Sequence, residues 1–176
     1  MKLSKNFSTD EVCISAECPE LARKIVLSEE DIQLAELLAR SILQPVRDEF
    51  GEISILSWKR SPELNKKIKG ASDSDHLYGT AADFVSHIHS PEQLFEFIVG
   101  SNLPYRQVIL YPANFVHVSI NRSGKFYKHE AMIFRTTIAP EEILRYILHH
   151  HIKKDREIAA QELSVICSHQ KTSNAT

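Results

Sequence analysis

The sequence predicts a single α+β domain, a small antiparallel sheet with flanking helices. Three observations predict it. Residues 28–50 carry apolar side chains at helical spacing behind a serine cap. Several short apolar runs between 53 and 135 read as strands, broken by Gly, Pro and Asn. A second, charge-rich helical stretch begins at Pro140. The 176 residues, 43% hydrophobic and 25% charged, suffice for one domain with a real core.

Each element follows from local chemistry. Residues 1–27 read as an irregular segment with one short helix over 19–25. Ser28 caps the next helix, and Glu29, Glu30 and Asp31 fill a first turn where carboxylates suit the helix dipole. Ile32, Ala35, Leu38, Ile42, Val46 and Phe50 form its apolar face, which runs to about Glu49 before Gly51 closes it. Pro45 must bend this helix or sit where the backbone bond is already lost. Residues 53–58 read as a strand, 62–69 as a short helical turn, 70–79 as a polar loop and 81–85 as a second strand. Ser90-Pro91-Glu92 opens a helix with Leu94, Phe95, Phe97 and Ile98 facing inward. Strands over 108–111 and 115–120 join through Pro112-Ala113-Asn114, a turn covers 121–124, and a last strand covers 131–135. The organisation expected is an N-terminal segment (1–27), a central domain (28–136), a helical extension (137–167) and a disordered polar tail (168–176).

Composition excludes some functions. A net charge of −2 gives no footing for nucleic acid or an anionic membrane as partner. No apolar run approaches the roughly 20 residues of a membrane span. Residues 1–10 have lysines but no apolar stretch after them, so no secretory signal is read. The expectation is a soluble protein, cytoplasmic unless released by lysis or carried in a virion. Cys13, Cys18 and Cys167 are odd in number and sparse, which reads as ordinary reduced cysteines. His149, His150 and His151 are consecutive, point in different directions on a helix, and read as a solvated helix end.

Two histidines and one aspartate stand apart. His76 lies in the polar loop, Asp83 in the strand after it, and His117 in a later strand between Val116 and Val118. Alternation puts His117 on the face opposite those valines, together with Phe115 and Ser119. Asp83 sits between Ala82 and Phe84, a costly place for a carboxylate without a partner, and a cation would supply one. Three such ligands with a fourth position open make a catalytic zinc site.

At these residues the sequence resembles the zinc D-alanyl-D-alanine carboxypeptidase family, which includes bacteriophage L-alanyl-D-glutamate endopeptidases. The family pattern S-x-H-x-x-G-x-A-x-D is matched by Ser74, His76, Gly79, Ala81 and Asp83, and its W-x-H by Phe115-Val116-His117. Upstream, Ser57, Arg60, Ser61 and Asn65 resemble its S-x-x-R-S-x-x-x-N stretch, and residues 43–47 resemble the helix end before it. The resemblance covers residues 6–135 and implies a Hedgehog/DD-peptidase-like fold. It implies Zn2+ on His76, Asp83 and His117, with Arg60 beside the metal orienting substrate. Ser74 would hold the loop or touch substrate, and Asn65 would fix the turn. The substrate class implied is a peptidoglycan peptide.

One part of that machinery is not where the family places it. A zinc peptidase needs a group that takes a proton from water and returns it to the leaving amine. The family uses a carboxylate a few residues before the last histidine. Here residues 110–117 contain none, and Tyr111 and Asn114 occupy the corresponding positions. Tyrosine can stabilise an oxyanion but is a poor base near neutral pH. Three accounts follow. The base comes from elsewhere, with Glu130, Asp75, His87 or His89 as candidates. The enzyme runs without it at a cost of about 10²–10⁴-fold. Or the metal stabilises a non-catalytic binding or structural module, such as a phage or virion component.

Overall fold

Apolar faces on helices and alternating strands leave few ways to bury both, and the chain adopts helices packed with a five-stranded sheet. The computed structural model describes residues 1–111, 114–122 and 130–133. Met1–Arg135 makes one compact unit. The expected helix from Pro140, the polar tail, and the residues Pro112, Ala113 and Gly124 lie outside the described residues.

The first 27 residues hold two short helices, α1 (Thr9–Val12) and α2 (Pro19–Ala22). The helix at α1 was not expected; Ser8 and Glu11 make a capping box for it. This segment is not loose, because Leu3, Phe7, Val12, Leu21 and Ala22 are buried. Next come α3 (Glu29–Leu38) and α4 (Gln44–Phe50), joined by a π-helical turn (Ala39–Leu43). Ser28 caps α3 as expected, through a box with Asp31. Pro45 explains the π turn. It has no N–H to give to residue 41, and the wider turn lets the Gln44 N–H reach back to Ala39 instead. Gly51 ends the run at a positive φ of 74°.

Strand β1 (Ile53–Ser57) follows, then helix α5 (Pro62–Lys67), a one-turn 3₁₀ helix (Asp75–Tyr78) and strand β2 (Ala81–Ser86). Helix α6 (Pro91–Gly100) begins at the Ser90 capping box and buries Leu94, Phe95 and Ile98. Strands β3 (Gln107–Tyr111), β4 (Phe115–Ser119) and β5 (Glu130–Ile133) complete the sheet, in the order β1-β2-β4-β3-β5. The α+β class and the small sheet with flanking helices are therefore observed. All pairings are antiparallel except the last: β5 runs parallel to β3, so the sheet is mixed at that edge. The 70–79 loop also differs from expectation, since its end closes into the 3₁₀ turn.

Alternation sorts the sheet into two faces. Phe84, Val108, Leu110, Val116 and Val118 are buried on the core face, beneath the helices. On the other face one register row runs Ser57–Asp83–His117–Ile109–Met132 across all five strands. Ser57 reaches this row because the β1–β2 register shifts between Ile55 and Ser57, which turns the end of β1 over.

Candidate metal centre

Asp83 and His117 are directly paired across β2 and β4, so their side chains leave the sheet together. His76 is brought over them by the 3₁₀ turn. Local propensity does not hold that turn; distant residues do. The Trp58 carbonyl accepts from His76 Nδ1 at 2.6 Å, and the Trp58 indole donates to the Gly79 carbonyl at 2.8 Å. The Arg60 amide donates to the His76 carbonyl at 2.9 Å. Lys59 Nζ donates to the Leu77 carbonyl at 2.8 Å and to Asp31 Oδ1 at 2.6 Å. Gly79 closes the turn in the left-handed region, at φ 71°. From the other side Asp75, itself buried, accepts from Arg106 Nε at 2.8 Å and from Arg106 Nη2.

Three donor atoms converge as a result. His117 Nδ1 lies 2.8 Å from Asp83 Oδ1, and His76 Nε2 lies 3.2 Å from each of them. Ligands on a tetrahedral zinc with bonds of about 2.0–2.1 Å stand roughly 3.3 Å apart, so the triangle has the size of one face of such a site. The proton inventory points the same way. A carbonyl only accepts, so His76 Nδ1 carries its proton for Trp58 and Nε2 presents a lone pair. Burial lowers the pKa of His76 against the pull of Asp83, which keeps the imidazole neutral. Asp83 is 5% exposed, and its other oxygen is paired with the Arg60 guanidinium at 2.5 Å, which favours the carboxylate over the buried acid. His76 Nε2, Asp83 Oδ1 and His117 Nδ1 thus present their ligand atoms to one point, where a cation would be held by all three.

The donor set fits zinc: two imidazoles and one monodentate carboxylate, with His76 Nδ1 bonded to the Trp58 carbonyl and Asp83 Oδ2 to Arg60. Asp83 Oδ2 faces away from the triangle and accepts from Arg60 Nη2 at 2.5 Å. Arg60 Nε in turn donates to Ser57 Oγ at 2.9 Å. Among the described residues, this is the single cluster of three or more His, Cys, Asp or Glu side chains with metal-ligand spacing.

A family model for peptidase M15 matches residues 5–119. The chain belongs to the peptidase M15 family. No curated protein matches it. M15 peptidases are zinc-dependent, and the converging triad lies wholly within the matched residues of this M15 chain.

The other residues singled out from sequence fall into place unevenly. Arg60 lies at the site, but the two nitrogens described above bind Asp83 and Ser57. Tyr111 is half-buried on the metal face and stacks on Phe115 at 4.3 Å. Burial, and then the charge of Asp83, raise its pKa, so the hydroxyl keeps its proton and can donate. Asn114 is exposed at the β3–β4 turn, its backbone N–H donating to the Tyr111 carbonyl at 3.0 Å. Ser74 is half-buried just before the 3₁₀ turn, and its hydroxyl does not cap it. Asn65 fixes its turn as expected, through a 2.8 Å bond to the Ala71 carbonyl. Of the alternative bases, Asp75 is bound to Arg106, Glu130 meets Gln107 at 3.3 Å, His87 meets Ser54 at 2.8 Å, and His89 packs on Phe50. None of these contacts is with the triad. Sequence reasoning missed the Trp58 carbonyl, Lys59 and Arg106 as supports. The first two lie inside the stretch that includes Arg60, but nothing marks Arg106.

Proposed function

We propose that this M15 chain is a zinc metallopeptidase acting on peptidoglycan stem peptides, as a D,D-carboxypeptidase or an L-alanyl-D-glutamate endopeptidase. His76, Asp83 and His117 hold the metal. The observation that carries this reading is the convergence of His76 Nε2, Asp83 Oδ1 and His117 Nδ1 to within 3.2 Å of one another, a triangle that one bound cation would fill. Zinc, when bound, supplies a Lewis acid for the scissile carbonyl and acidifies water. Arg60 fixes Asp83 so that one oxygen stays turned to the metal and the other to guanidinium. Tyr111 keeps its proton and serves as donor to a developing oxyanion, the role that aimed donors play in acyl transfer. Ser74 is assigned to substrate contact, and Asn114 to the position where the family carries its carboxylate.

Tyr111 also supports the second reading, a zinc-stabilised module that binds without cutting. A hydroxyl held protonated by burial does not take a proton from water, and the usual carboxylate is missing from residues 110–117. One experiment separates the two. Zinc-loaded protein is incubated with purified peptidoglycan, and new amino groups are counted. Release by the wild type and none by His76→Ala supports the peptidase. No release by either, with one zinc still bound to the wild type, supports the module.

A further inference from the structure

Arg122 is the one guanidinium near the metal turn whose donors meet no acceptor within hydrogen-bond reach among the described residues. Its nearest carboxylate oxygen, Asp75 Oδ1, is 3.7 Å away, and Asp75 Oδ2 already takes two N–H groups from Arg106. One carboxylate thus faces two guanidiniums, and one positive charge is left over. Arg122 is nonetheless held in place. Its Cζ lies 3.2 Å above the centre of the Tyr78 ring. That contact holds the guanidinium over the ring, and among the described residues its N–H groups meet no acceptor, which suits a carboxylate ligand. Both side chains open to solvent, with Arg122 42% and Tyr78 40% exposed. The position matters as much as the orientation. Asp75 and Tyr78 begin and end the turn that carries His76, and Arg122 follows β4 only five residues after His117.

We propose that Arg122, stacked on Tyr78, is a subsite for a free carboxylate of the substrate that takes no part in the reaction. The inference rests on the peptidase reading and narrows it, since it requires an acidic peptide. Arg106 is excluded from this role because Asp75 occupies two of its N–H groups. Asp75 also keeps the subsite selective: the nearby negative charge raises the cost of a second, loosely placed anion, and only a ligand that meets the guanidinium edge squarely overcomes it.

The test compares two peptides on zinc-loaded full-length protein by calorimetric titration. One is the stem pentapeptide L-alanyl-γ-D-glutamyl-L-lysyl-D-alanyl-D-alanine; the other has its glutamate carboxyl as an amide. The wild type should bind the acid about tenfold more tightly than the amide, as a charge-assisted contact would give. Arg122→Gln should abolish that preference while its zinc content and circular dichroism stay unchanged, and Tyr78→Leu should weaken it. Equal binding of both peptides by the wild type, or a preference that survives in Arg122→Gln, overturns the subsite and leaves the peptidase reading intact. Failure of the wild type to bind either peptide overturns the peptidoglycan reading, and the subsite with it.

Discussion

The turn that carries His76 should depend on an ion pair that no short-range pattern announces. Arg106, just before β3, gives two N–H groups to Asp75, which is 6% exposed in its side chain. Arg106→Gln removes both and leaves a buried carboxylate next to His76. Removing one partner of a fully buried pair costs about 3–5 kcal/mol. Arg106 is one-third exposed and Arg122 remains 3.7 Å away, so the expected loss is lower, about 2 kcal/mol. The assay is a double-mutant cycle with Asp75→Asn, read by urea unfolding in the absence of metal. The double variant should recover most of the loss, giving a coupling of about 1–2 kcal/mol. Because the pair positions His76, Arg106→Gln should also weaken zinc binding by about 10–100-fold, as loss of a supporting contact does. A coupling near zero, with zinc affinity unchanged, would refute the claim that this pair holds the turn.

Two more perturbations test the scaffold around the site. Burial opposes ionisation of Asp31, but Lys59 and Ser28 outweigh it, so the folded-state pKa lies below the usual carboxylate value. Its stabilisation is therefore present above the unfolded pKa near 3.9 and lost as pH falls through the lower folded value, so Asp31→Asn should flatten the acid side of the Tm–pH curve; an unchanged slope would count against it. A Cβ added at Gly70 would lie 2.2 Å from Asn65 Oδ1 and 2.8 Å from its Cγ. Gly70→Ala must displace the buried Asn65 amide and its bond to Ala71, costing about 2–4 kcal/mol in unfolding free energy; wild-type stability would contradict the packing.

Much of the fold was legible because it is local. Ser28 and Ser90 announce their helices through capping chemistry within three residues, and Val116 and Val118 around His117 fix which face the imidazole takes. Pro45 announced a lost backbone bond, and the π turn is how the chain absorbs it. What was not legible is tertiary. The 3₁₀ turn at Asp75–Tyr78 has a polar, aperiodic sequence and is held by Trp58, Lys59, Arg60 and Arg106, 16 or more residues away. The parallel direction of β5 was hidden because alternation records which face a residue takes, not which way its strand runs. Arg60 shows the same limit in the site. The resemblance pointed to Arg60, but its grip on Asp83 and Ser57 needs the register shift in β1 to be seen.

The central claim is that His76, Asp83 and His117 form one zinc site. Anomalous diffraction at the zinc edge, from crystals grown with one equivalent of zinc, tests it most directly. A single strong peak should appear about 2.0–2.2 Å from His76 Nε2, Asp83 Oδ1 and His117 Nδ1. An empty triangle, with zinc absent or bound elsewhere on the chain, would contradict it.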